Sequence, residues 1–260
     1  MKAMVLAAGL GTRLRPLTDD RPKALVELSG RTLLEITLSR LRTFGVTEVI
    51  VNVHHFADQV IAYLKSHNNF GMRIEISREE VLLDTGGGLK KAAWFFLEDP
   101  KNLDEPLLLH NVDVISTIDL RAMLQFHTEN HALATLAVQS RETSRPLLFD
   151  DHHQLGGRRI GPDAKPELVS STAVLSSNSP LATRHSLLPL AFSGIHIISP
   201  LVLPLLTEEG AFSIIPSYLR LSAQGQKILA FRADQYYWRD LGRPSDLAQA
   251  ALDLQQNTLP

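Results

Sequence analysis

The chain has 260 residues, a formal net charge of -2, 44% hydrophobic side chains and no cysteine. Its near-even charge excludes the basic footprint of a nucleic-acid binder and the polybasic signal of a membrane-surface protein, and the missing cysteines exclude a disulfide framework, a thiolate zinc site and a cysteine nucleophile. The length suits one large α/β domain over 1–260, and without a charged leader or a run of about 18 apolar residues the expected setting is the cytoplasm, away from any membrane.

Strand 1 is expected at 2–7, where Met4-Val5-Leu6-Ala7 runs into Ala8-Gly9-Leu10-Gly11-Thr12-Arg13-Leu14-Arg15-Pro16-Leu17-Thr18 and then Pro22-Lys23-Ala24-Leu25. A small glycine-bearing loop leaving a buried strand brings backbone N–H groups up to phosphate oxygens, and Arg13, Arg15 and Lys23 add positive charge nearby. Ala7, Ala8, Gly9, Gly11, Thr12 and Arg13 are therefore candidate nucleotide contacts. The spacing lacks the third glycine of the dinucleotide loop and the Gly-Lys-Ser/Thr ending of the Walker loop.

Helix is predicted over 32–44, where Leu33, Leu34, Ile36, Leu38 and Leu41 make an apolar face, and again over 56–66, 87–97 and 118–130; strands are predicted at 48–53, 72–77, 106–110 and 132–138. From 151 to 188 the apolar pattern fades into an excursion, part hairpin and part loop, that flanks the pocket. Regularity returns with a strand at 190–199, helices at 199–206, 213–222 and 244–255, and short strands at 227–231 and 236–238. Alternating strands and helices of this kind build a Rossmann-like, mainly parallel α/β sheet with helices on both faces and the ligand crevice along the strand C-terminal ends.

Residues Leu6 to Leu25 resemble the signature of the sugar-1-phosphate nucleotidylyltransferases, approximately L-x-A-G-x-G-T-R-L-x-P-L-T-x-x-x-P-K-x-L, and meet every fixed position of it. The resemblance covers 1–138 and 189–255 and implies a nucleotide-diphospho-sugar transferase fold. It also implies magnesium-dependent transfer of a nucleoside monophosphate from a nucleoside triphosphate to a sugar 1-phosphate, with release of pyrophosphate. Two anionic phosphates must meet in such a reaction, so carboxylates that hold magnesium are sought just beyond buried strands. Leu107-Leu-Leu-His-Asn-Val-Asp113 supplies one, with Val112 where the family has glycine; the plainer reading of Asp113 is a cap for helix 118–130. Trp238-Arg239-Asp240-Leu241-Gly242 resembles the family's W-x-D-x-G and supplies the second metal ligand, Asp240.

Arg13 and Lys23 are the catalytic candidates: a guanidinium fork matches the departing pyrophosphate, and a compact ammonium suits charge developing around the α-phosphate. Glu79 to Gly88 looks like the family's E-x-x-x-L-G-T-A-G-G segment, with Asp84 where a glycine is common. Gly86 and Gly87 would offer N–H donors to the nucleotide. Glu79 would accept from the base, which suits uracil first and guanine second. Asn111 and the Gly194 of Phe192-Ser-Gly-Ile, which resembles the F-x-G-I strand, are the candidate sugar contacts. The family's lysine-bearing E-K-P motif is not matched by Lys165-Pro166, and Arg158 or Arg159 could replace it. His54, His55, His152 and His153 lack zinc spacing. Several stretches look like the short bacterial uridylyltransferases acting on N-acetylmuramate 1-phosphate. Guanylyltransferases, phosphocholine cytidylyltransferases and a catalytically silent binding protein stay open as alternatives, and oligomeric state is left open as well.

Overall fold

The computed structural model describes residues 1–99, 104–169 and 187–255. β1 (Ala3–Leu6) is central: Ala3 and Val5 enter one apolar core while Met4 enters the other, as the period of a strand buried on both faces requires. A 3₁₀ turn at Thr12–Leu14, a second at Lys23–Leu25 and the hairpin β2 (Glu27–Leu28) and β3 (Arg31–Thr32) lead to α1 (Leu33–Thr43). Then follow β4 (Glu48–Val53), α2 (Ala57–Ser66), β5 (Arg73–Arg78), α3 (Asp84–Leu97), β6 (Leu107–Asn111) and β7 (Val114–Ser116). The chain continues through α4 (Leu120–Glu129), β8 (Ala134–Gln139), β9 (Leu147–Phe149), β10 (Leu155–Arg158) and β11 (Glu167–Leu168). It closes with β12 (Leu188–Ile198), α5 (Ile214–Ala223), β13 (Ile228–Arg232), β14 (Trp238–Asp240) and α6 (Pro244–Gln255).

Strands β6, β1, β4 and β5 pair in parallel, as do β8 and β13, and β12 runs antiparallel between β6 and β8. The result is a mixed sheet whose central strands are mostly parallel. Helices α1, α2, α4 and α6 cover one face and α3 and α5 the other. The ends of the helices are set by their sequences. Thr32 caps α1 by accepting from the Glu35 N–H at 3.1 Å, and Asp119 caps α4 by accepting from Arg121 and Ala122 at 2.8 and 3.1 Å. Because Asp119 holds the end of α4, Asp113 does not serve as its cap.

The structure corrects several predicted boundaries. The helix predicted at 87–97 begins at Asp84, so the three glycines lie inside its first turns. The helix predicted at 199–206 is a 3₁₀ segment, Pro200–Leu205, because Pro204 has no N–H for an α-helical bond. The excursion expected at 151–188 contains the antiparallel pair β10 and β11, and its residues 170–186 lie outside the described residues. The strand expected at 190–199 starts at Leu188, and the one expected at 236–238 lies at Trp238–Asp240. β7, β9 and the β2–β3 hairpin were not predicted.

Candidate active site

The loop after β1 is held by its neighbours. The Ala7 N–H donates to Asn52 Oδ1 at 2.7 Å, and Asn52 Nδ2 donates to Glu79 Oε1 at 2.7 Å, so the ends of β1, β4 and β5 are tied in series. Gly11 takes φ +65°, and a Cβ there would stand 3.0 Å from Thr18 Cγ2 and 3.1 Å from Lys23 Cβ. The turn thus requires glycine on both counts, and it folds Lys23 back over the loop. Above lies a cavity of about 560 Å³ lined by Ala7, Ala8, Gly9, Lys23, Asn111 and Asp113, with Glu79, Asp84 and Thr85 at its other end. Nothing approaches the position of a Cβ on Gly9, so the loop's backbone is open there.

Asp113 and Asp240 come together through β7 and β14, whose register pairs Asp240 with Val114, and the Leu241 N–H donates to the Asp113 carbonyl at 2.8 Å. Lys23 forms an ion pair with Asp113. Burial and the nearby Asp113 charge push the Asp240 carboxyl above the usual carboxylate range, opposed by Lys23 and Arg13. The Gly242 N–H donates to Asp240 Oδ1 at 2.6 Å, and a Cβ on Gly242 would lie 2.6 Å from Arg13 Nη2. Arg13 therefore packs over Gly242 beside Asp240, and both it and Thr12 are exposed. Four residues assigned from three distant stretches, Arg13, Lys23, Asp113 and Asp240, share one place.

Two expectations about the base end meet a different geometry. The N–H groups of Gly86 and Gly87 both donate to the Phe212 carbonyl, at 2.9 and 3.2 Å, so they are not available to a nucleotide. Their lack of side chains serves packing: a Cβ on Gly86 would fall 2.3 Å from Phe212 Cε2, and one on Gly87 would fall 2.4 Å from the Gly210 carbonyl. Glu79 is 2% exposed, and its carboxylate accepts from Asn52 Nδ2 and, through Oε2, from the Leu83 N–H at 2.9 Å. Both oxygens are thus engaged by the protein. Asp84 takes φ +58°, and its Oδ1 accepts from the Thr85 N–H at 2.6 Å, a short polar side chain doing what glycine commonly does.

On the opposite side, Gly194 has φ +72°, and a Cβ there would lie 2.7 Å from Asn111 Nδ2, so these two candidates adjoin. Arg158 is ion-paired with Glu167 at 2.6 Å, and the Arg159 N–H binds the Pro146 carbonyl. Sequence reasoning missed Arg141. Its guanidinium lies 3.7 Å from the centre of the Trp238 ring and donates to the Phe192 carbonyl at 2.6 Å, next to the Gly194 strand. No local motif marks it, because it reaches the site from the end of β8. Among the described residues no three His, Asp or Glu side chains gather into a metal site by themselves. The carboxylate pair, Asp113 and Asp240, still fits a hard cation that takes its other ligands from phosphate and water. His54 Nδ1 is within 2.9 Å of the Glu79 carbonyl and belongs to the scaffold. No helix among the described residues is long and apolar enough to cross a membrane.

A family model described as nucleotidyl transferase matches residues 2–147. An N-acetylmuramate alpha-1-phosphate uridylyltransferase of Caulobacter vibrioides is 35% identical over 247 residues, covering 93% of this chain and 92% of that protein. A mannose-1-phosphate guanyltransferase of Pichia angusta is 30% identical over 249 residues, covering 95% of this chain but only 62% of the relative. Among solved structures, a UDP-glucose pyrophosphorylase complexed with UDP-glucose superposes with a TM-score of 0.74 at 16% identity, over 98% of each chain, which shows the shared fold. The resemblance read from Leu6 to Leu25 holds: the chain belongs to the nucleotidyl transferase family.

Proposed function

We propose that this enzyme transfers the uridylyl group of UTP to a sugar 1-phosphate, releasing pyrophosphate, with N-acetylmuramate 1-phosphate as the first acceptor to try. The observation that carries the reading is the meeting of Arg13, Lys23, Asp113 and Asp240, of which Lys23 and Asp113 line the cavity over Ala7–Gly9. Magnesium, held by Asp113 and Asp240, would supply charge neutralisation between the two phosphate groups. The chain's own groups then have separable tasks. Backbone N–H groups at Ala8 and Gly9 hold the triphosphate, and Lys23 stabilises charge at the α-phosphorus. Arg13, on the rim, holds the pyrophosphate as it departs. A sugar phosphate oxygen is nucleophilic at neutral pH, so no general base is needed; it attacks in line and pyrophosphate leaves from the opposite side.

The choice of UTP is supported by the relative that is 35% identical across 92% of its length. It does not rest on Glu79, whose oxygens are engaged. GTP is the second donor to try, on the strength of the mannose-1-phosphate guanyltransferase at 30% identity. The reading takes residues 1–260 as one catalytic domain acting in the cytoplasm, where nucleoside triphosphates are made. The test is pyrophosphate release from UTP, GTP, CTP and dTTP with magnesium, each paired with N-acetylmuramate, mannose, glucose and N-acetylglucosamine 1-phosphates. Release fastest with UTP is the expected result. A GTP optimum would replace the base assignment, and no release with any pair would overturn the reading in favour of a binding protein.

A further inference from the structure

Among the described residues, the acceptor side of the site has no evident cation for the sugar phosphate. Lys165 is exposed beside Pro166, and Arg158 is committed to Glu167. Around the carboxylate pair, Lys23 is tied to Asp113, and Arg13 packs over Gly242. A third cation, Arg141, remains. Its guanidinium carbon lies over the Trp238 indole, 3.7 Å from the ring centre, and one nitrogen is anchored on the Phe192 carbonyl at 2.6 Å. Trp238 is itself fixed, since its indole N–H donates to the Ser193 carbonyl at 2.7 Å. The guanidinium is thus clamped to the strand that carries Gly194, and Trp238 is two residues before Asp240. Its Nε is buried and has no hydrogen-bond partner among the described residues.

We propose that Arg141 binds the phosphate of the acceptor, taking the part that a lysine plays where the E-K-P motif is present. The proposal rests on the sugar-1-phosphate reading above. A guanidinium held between an indole and a backbone carbonyl keeps its remaining terminal donors in one place, so it loses little rotamer entropy on binding phosphate oxygens. The same placement joins acceptor recognition to the chemistry. Through Trp238 and the β14 strand, the group that holds the acceptor is connected to the carboxylate that faces Asp113. Arg141 therefore acts on the acceptor and not on the nucleotide.

Steady-state kinetics of Arg141→Gln and Arg141→Lys test it. The expected result is a KM for the sugar 1-phosphate raised about 10- to 100-fold in the Gln variant and less in the Lys variant, with the KM for the nucleotide and the Tm within error of wild type. A purely structural Arg141 would move both KM values and the Tm together, and that outcome overturns the proposal, as does an acceptor KM within twofold of wild type. A second measurement does not need turnover. The chain has two tryptophans, and Trp94 is 50% exposed, so Trp94→Phe leaves Trp238 as the only indole. Titration of that variant with glucose 1-phosphate, mannose 1-phosphate and N-acetylmuramate 1-phosphate should change its emission, whereas the free sugars and the Trp94→Phe/Arg141→Gln double variant should give no change at the same concentrations. If wild type releases no pyrophosphate with any pair, the functional reading fails while this titration still decides Arg141. If neither variant folds, Arg141 is structural and the proposal is wrong.

Discussion

The proposed donor and acceptor sides of the site are built differently. The donor side comes from the segments that follow strands β1, β5 and β6, and parallel pairing brings those strand ends to one edge. The acceptor side comes from antiparallel strands that arrive from elsewhere: Gly194 in β12, Arg141 after β8 and Trp238 in β14 meet only through register and stacking. Local sequence reports the first kind of site well and the second kind poorly. Contiguity is the difference.

The largest expected effect tests whether the two sides share one centre. Asp113 comes from the donor-side loop and Asp240 from β14, and each should be indispensable. Asp113→Asn or Asp240→Asn, nearly unchanged in size, should lower turnover about 10³-fold or more, about 4 kcal/mol of transition-state stabilisation, with the fold retained. The check is kcat at saturating magnesium with circular dichroism alongside. Comparable kcat values would separate the carboxylates from the reaction.

A smaller effect separates packing glycines from binding glycines. Gly86→Ala would place a methyl carbon 2.3 Å from a Phe212 ring carbon and 3.0 Å from its carbonyl. The expected cost is about 1 to 3 kcal/mol of stability, since overpacking forces neighbours to move. Any rise in the KM for nucleotide should follow the loss of folded protein. Gly194→Ala, by contrast, meets Asn111 at the acceptor side and a φ of +72°, so its first symptom should be a raised acceptor KM. Thermal unfolding and the two KM values, measured on both variants, distinguish them. A Gly86→Ala protein with wild-type Tm and a weakened nucleotide would return Gly86 to the binding site.

Glu79 sharpens the comparison within the donor side. Its carboxylate closes a relay in which Ala7 donates to Asn52 and Asn52 donates to Glu79, while Leu83 donates to the other oxygen. Glu79→Gln puts an amide donor against one of two existing donors, and Glu79→Ala leaves both unpaired, at a cost of about 1 to 3 kcal/mol. The effect should fall alike on UTP and GTP, because it acts through the position of the Ala7 loop. A variant that changed the UTP to GTP preference by tenfold or more would show that Glu79 touches the base.

These contrasts also explain what was legible. The parallel half was read to within a residue or so at β4, α1, α2 and β5, since each element there is a complete apolar pattern bounded by turn residues. That Asp113 and Asp240 would meet could be anticipated because each lies inside a recognisable string of neighbours. The glycines at 86 and 87 were visible, but their purpose was not, for nothing near them in sequence announces Phe212. The partners of Glu79 were hidden for the same reason, Asn52 being 27 residues away. Arg141 was missed because a lone arginine after a strand looks like any solvated one until Trp238 is seen beneath it.

The smallest expected effect concerns the strands on which the two sides meet. His110 in β6 and His196 in β12 are fully buried where those strands pair, and His127 in α4 packs away from the site with its Nδ1 2.9 Å from Thr135 Oγ1. Burial lowers all three, to about 4, about 3 and about 4, with His110 lowering His196 further and the Arg40 charge lowering His110. A histidine kept neutral in the fold but free to protonate when unfolded contributes stability that is present above its unfolded pKa and lost as pH falls from about 6.5 toward 4. Stability should therefore decline below pH 6.5 for a reason unconnected with the carboxylates at the site. His127→Gln, remote from both donor and acceptor, should flatten that decline by roughly half a kcal/mol between pH 7 and 6 while leaving kcat and both KM values unchanged. Urea unfolding at pH 7 and 6 reads the difference. A slope unaltered in His127→Gln would mean that this histidine titrates alike in the folded and unfolded protein, and a steeper one that the fold favours its protonated form.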